Sequence, residues 1–176
     1  NNDTENAAKN MDHGWAVPIT QHFIRAAMEA HPDRRFVVVG FSLGVTVTRD
    51  ALRRLSVNEG FDVFSRLDHA IYMAGANHGV SSFALCGSNP TMRGRVACQM
   101  GNRAAFAPTE FLLPLNGAMG EHETPCADGQ TAFGRAGACG DNAVRYTTIV
   151  MEDLPGGEQQ DLFVSEASSA LRGADN

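Results

Sequence analysis

Between residues 15 and 30 the apolar positions Ile19, Phe23, Ala27 and Ala30 recur at three- and four-residue spacing, which predicts a helix with one apolar stripe. Pro18 suits its first turn, and His31-Pro32 predicts its end. Phe36-Val37-Val38-Val39 follows as a near-continuous apolar run, the pattern of a strand buried on both faces of a parallel sheet. Val47, Ala51 and Leu55 then repeat at i, i+4 and i+8, as a helix facing a sheet should. A second strand is predicted over residues 68–74, ending at Gly75, and a third over 144–151, carrying Tyr146, Thr147, Thr148, Ile149 and Val150. A last short helix is predicted over residues 165–171, stopped by Gly173. Helix, strand, helix, strand is the order of an α/β fold with a mostly parallel sheet and flanking helices.

Periodicity fails between residues 79 and 142, where most prolines and glycines and all four cysteines lie around one short apolar piece, Phe111-Leu112-Leu113-Pro114-Leu115. An excursion of that length predicts a cap, lid or binding loop. The expected organisation is therefore one domain over residues 1–176, with its core in 15–78 and 143–176 and the excursion over 79–142. Cys86 with Cys98 and Cys126 with Cys139 form two local pairs. Local disulfides would each contribute about 2–4 kcal/mol by restricting the unfolded chain, and they imply an oxidising, extracellular or periplasmic location. Reduced thiols or a metal site are the alternatives, though no Cys-x-x-Cys spacing supports zinc.

Composition narrows the class further. The chain has 176 residues, 43% of them hydrophobic, with no long apolar run, which predicts a globular domain with a real core and no stable membrane insertion. A net charge of -6 without a basic stripe argues against nucleic acid as a partner. Arg34-Arg35 and Arg53-Arg54 read as solvated flanks. The first residues, Asn1-Asn2-Asp3-Thr4-Glu5-Asn6, include neither an initiator methionine nor a signal-peptide pattern, so the natural beginning is expected upstream. Oligomeric state is not legible.

The chemistry sits where the first strand ends. Gly40-Phe41-Ser42-Leu43-Gly44 is G-x-S-x-G between a strand and a helix, the nucleophile-elbow pattern, in which a sharp turn lifts a serine hydroxyl above the sheet. Ser42 is thus the candidate nucleophile. The turn demands strained backbone angles, and glycine two positions to either side should relieve the crowding. The next N–H, that of Leu43, opens the helix and can serve as one oxyanion donor.

With these residues the chain resembles the secreted bacterial lipase and esterase branch of the α/β-hydrolase fold, from Phe36 to the C-terminus. Ile71-Tyr72-Met73-Ala74-Gly75-Ala76-Asn77-His78-Gly79 is similar to the strand and N-H-G turn after the nucleophile helix; Phe111-Leu112-Leu113-Pro114-Leu115-Asn116 is similar to a lid-region F-L-x-x-L-N; and Tyr146-Thr147-Thr148-Ile149 is similar to the penultimate strand. Asp161-Leu162-Phe163-Val164 resembles the D-x-x-V turn that bears the triad acid, which implies Asp161 as the acid orienting a catalytic imidazole. Asp153, nearer the strand end but without the valine, is the rival.

The resemblance further implies a serine hydrolase of carboxylic esters working through a Ser-Asp-His triad and an acyl-enzyme, with no metal and no organic cofactor. Its partner is an ester substrate, lipid or polyester, so an extracellular polyhydroxyalkanoate depolymerase is the variant reading. A non-catalytic hydrolase-like binding domain is the reading of another class. The family's histidine follows the acid, whereas all six histidines here precede Asp161; the base is therefore expected beyond Asn176, and His78 reads as a turn residue. The family's earlier strands and second oxyanion donor do not fit before residue 15, so the chain reads as an internal fragment, inactive and poorly folded alone. Glu121-His122-Glu123 with Asp128 could hold a divalent cation, but a solvated loop is the plainer reading of so short an acidic run.

Overall fold

The computed structural model describes residues 16–80, 99–101, 109–150 and 164–176. Helix α1 spans Val17–Ala30, strand β1 Phe36–Phe41, helix α2 Leu43–Val57 and strand β2 Leu67–Met73. Then come the single-turn α3 (Leu113–Asn116), the two-residue strands β3 (Thr131–Ala132) and β4 (Arg135–Ala136), strand β5 (Arg145–Ile149) and the single-turn α4 (Glu166–Ser169).

Among the described residues the main sheet has three strands in the order β1-β2-β5, and both pairings are parallel. It is the α/β architecture that the strand and helix order predicts. Register puts Val38, Gly40, Ala70, Tyr72, Tyr146 and Thr148 on one face. There Ala70, Tyr72 and Tyr146 join Val45, Leu52 and Leu55 of α2 in the principal core. Val47 and Ala51 turn instead toward α1, where they meet Val17.

Two expectations about faces are corrected. β1 is covered on one side among the described residues, since Val37, Val39 and Phe41 are 55%, 58% and 66% exposed. Among the described residues it is bonded only to β2, and no described element packs over that face. On α1 the inward residues are Val17, Ile24 and Met28, whereas Ile19 and Phe23 point outward. Both stripes are apolar, and the docking of α1 on α2 selects between them.

Part of the glycine-rich excursion enters the principal core. Cys126 and Cys139 are joined by a disulfide across 13 positions, and both are buried with Ala132 and Ala138 against Phe64, Leu67 and Val144. Asn142 Nδ2 donates to Phe64 O at 2.8 Å and Leu67 O at 2.7 Å, which ties this hairpin to the start of β2. The staple thus sits at the N-terminal ends of β2 and β5. Cys86 and Cys98 lie outside the described residues.

Candidate active site

Ser42 stands between the last residue of β1 and the first of α2, with φ 52° and ψ −128°. A non-glycine residue at positive φ costs on the order of 1–3 kcal/mol and persists only where its surroundings hold it. Here the holders are identifiable. Ser42 N–H donates to Met73 O at 2.9 Å, pinning the turn to the end of β2, and Val45 N–H donates to Ser42 O at 3.0 Å, opening the helix. Beneath the turn lies Val45, fully buried.

Glycine relieves crowding on one side of the serine and not on the other. A Cβ at Gly40 would stand 2.9 Å from Val45 Cα, closer than real carbon contacts allow. At Gly44, already helical, no described atom beyond its chain neighbours and the backbone of its own helix lies within 4 Å of such a Cβ, so the expected steric need there is absent among the described residues. The second tight approach is at Gly75, whose Cβ would meet Val45 Cγ1 at 2.6 Å. Gly75 follows β2 and was not singled out by the pentapeptide.

The Ser42 side chain is exposed and makes no hydrogen bond with a described residue. Leu43 N–H, at the first position of α2, is likewise taken by no described acceptor, as the opening turn of a helix leaves it. Donor and hydroxyl are adjacent, and a helix N-terminus favours the negative charge that a tetrahedral intermediate develops. Asp161 and Asp153, the candidate acids, lie outside the described residues.

His78 is brought to Glu123 and not to Ser42: its Nε2 is 3.1 Å from Glu123 Oε1, and Glu123 Oε2 accepts from Arg172 N–H at 2.6 Å. Burial would raise the Glu123 carboxyl, but the His78 ring and the Arg172 N–H outweigh it and hold the group below its ordinary value. The neighbouring carboxylates point elsewhere. Glu121 caps the N–H groups of Ala118 and Met119, and Asp128 accepts from Gln130 N–H. Among the described residues no three metal-ligating side chains converge.

Sequence reasoning missed two charged features of α2. Asp50 is buried and paired with Arg53 and Arg54 at 2.8 Å each, so those arginines are more than solvated flanks. Arg49 is 5% exposed and donates to Asn77 Oδ1, Leu115 O and Asn116 Oδ1. Burial lowers its pKa, partly offset by the nearby Tyr72 and Glu123. Its signal was available: Arg49 interrupts the stripe Val45, Arg49, Leu52 at helical spacing, and a charge inside an apolar stripe calls for buried partners.

No family model matches this chain, and no curated protein matches it. A solved structure is similar to it: the mature form of the Bacillus licheniformis lipase BlEst2, at 17% sequence identity and a TM-score of 0.55, over 94% of this chain and 64% of that one. The chain thus spans a little under two thirds of the length of that lipase. What the likeness establishes is the fold, an α/β arrangement similar to that of this neighbour.

Proposed function

We propose that this protein is a serine hydrolase of carboxylic esters, with Ser42 as nucleophile and Leu43 N–H as one oxyanion donor. The observation that carries the reading is the Ser42 backbone, φ 52° and ψ −128° between a parallel strand and a helix, because strain is retained where it aims a group and a packing residue has no use for it. The likeness to a lipase fold supports the same class. Ser42 Oγ attacks the ester carbonyl as its proton passes to a base, the alcohol leaves, and water releases the acyl group. Asp161 is the acid in this reading and a histidine the base. The disulfide between Cys126 and Cys139 supports a secreted or periplasmic location.

The test is covalent labelling of the complete protein by a fluorophosphonate, with Ser42→Ala beside the wild type. Labelling of the wild type that disappears in the variant is the expected result. Labelling that survives Ser42→Ala refutes the assignment.

A further inference from the structure

Two residues without glycine's freedom take positive φ at the same end of the sheet. Ser42 (φ 52°) follows Phe41 and Ala74 (φ 48°) follows Met73, and Phe41 and Met73 are register partners in the parallel pair of β1 and β2. The ladder continues through both: Ser42 N–H donates to Met73 O at 2.9 Å, and Ala74 N–H donates to Ile149 O at 2.9 Å. A strained conformation of this kind persists only where its surroundings impose it. For Ala74 these bonds act on one side. On the other stands Gly75, buried, whose added Cβ would lie 2.6 Å from Val45 Cγ1.

Gly75 is held from α4. The buried Ser169 donates through Oγ to Gly75 O at 3.0 Å, and Asn77 N–H donates to the same carbonyl at 2.8 Å. That oxygen is therefore satisfied without the serine. The second bond rescues no orphaned acceptor; what it adds is a fixed orientation for the peptide that leaves Gly75. Ser168 grips the far end of the same turn, where its Oγ donates to Gly79 O and its carbonyl accepts from His78 N–H at 3.0 Å. Asn77 Nδ2 donates to Ser169 O at 2.7 Å. Two adjacent serines thus hold opposite ends of one turn, and only Ser169 holds the end that carries Ala74.

We infer that Ser169 is a positioning residue of the Ser42 site: by fixing the Gly75 peptide it keeps Gly75 against Val45 beneath the elbow and Met73 O on Ser42 N–H. The inference rests on the ester-hydrolase reading of Ser42. Ser168 anchors α4 and has no share in the elbow, which makes it the built-in control.

The experiment compares the complete wild-type protein with Ser169→Ala and Ser168→Ala in thermal melting, in the rate of Ser42 labelling by a small fluorophosphonate, and in kcat/KM for p-nitrophenyl acetate. Rates are read at a temperature where melting shows all three proteins folded. Each variant loses one buried hydrogen bond, so each should lower Tm by about 2–6 °C. In Ser169→Ala, labelling and kcat/KM should fall together by about tenfold, as displacement of a nucleophile requires. In Ser168→Ala both should stay within about twofold of wild type. Unchanged rates in Ser169→Ala overturn the inference. So do equal losses of rate in the two variants, or a Ser169→Ala protein without a cooperative melt, either of which makes the hydroxyl a core support alone. Failure of the parent reading looks different: the wild type itself then shows no labelling at Ser42, and both readings fall together.

Discussion

Replacing Gly75 with alanine tests how the elbow is held. The added Cβ would lie 2.6, 2.8 and 2.9 Å from Val45 Cγ1, Cβ and Cγ2, against an optimum of about 3.5–4.0 Å, so one side must move by close to an ångström. Val45 has no free space to enter, being fully buried at the start of α2. Overpacking of this kind costs about 1–3 kcal/mol. Against it stands the loss of glycine's freedom in the unfolded chain, which favours alanine by about 0.4–1 kcal/mol. The net expectation is destabilisation by about 1–2 kcal/mol, a fall in Tm of about 2–8 °C for a domain of this size. Val45→Ala alone should cost about 1.6 kcal/mol for two methyl groups, plus a cavity contribution. In the double variant the new methyl occupies the vacated space, so the cycle should show a favourable coupling of about 1 kcal/mol. The same shift displaces Ser42, and fluorophosphonate labelling of Gly75→Ala should slow by about ten- to a hundredfold. Melting and labelling of the four proteins decide the matter: additive costs, or a Gly75→Ala protein that melts and labels like wild type, would refute the account of Val45 as the support of the turn.

Two further predictions concern ionisation. Both tyrosines of the chain are buried, burial pushing Tyr72 up to about 12, against the pull of Arg49, and Tyr146 well above 10.0. Their neutral forms are favoured in the folded state, so this stabilisation is complete below pH 10 and is lost as pH rises from there toward the folded values. Near-ultraviolet absorbance should therefore show phenolate only with alkaline unfolding; a smooth titration centred near 10 in the folded protein would count against it. Glu123 runs the other way. Its folded value lies below 4.5, so its contribution is present above that pH and disappears as pH falls through the folded value. Glu123→Gln should lower stability by about 1–3 kcal/mol at neutral pH, the scale of a buried hydrogen bond to a charge, and the gap in Tm from wild type should shrink in acid. A gap independent of pH would refute the role given to the carboxylate.

The strands were legible because each is announced locally. Phe36-Val37-Val38-Val39 and the Tyr146-to-Ile149 stretch are rich in β-branched and aromatic residues bounded by breakers, and both form strands of the parallel sheet. Faces were harder. An apolar run does not say how many sides it buries, and β1 covers Val38 while exposing Val37 and Val39. In α1 the stripe through Ile19 and Phe23 was as apolar as the one through Val17, Ile24 and Met28, so periodicity alone could not choose. The partners of Asp50 were readable in principle, since Arg53 and Arg54 stand at i+3 and i+4.

The elbow was legible for a different reason, which also explains what stayed hidden around it. Five consecutive residues specify the turn, yet its strain is held by groups far along the chain: Met73 O accepts from Ser42 N–H, and Gly75 admits Val45. A local motif announces a strained conformation without naming what supports it. Asn77 and Asn116 carry the same lesson. Each stood in a recognisable stretch, N-H-G and F-L-x-x-L-N, but the arginine that joins them is 28 and 67 positions away in sequence. Because amides of that kind are commonplace in turns, only a buried charge between them distinguishes one organised network from two separate loops. The charge supplies direction to both asparagines at once, and that is why the join between the two motifs falls on Arg49, a residue belonging to neither.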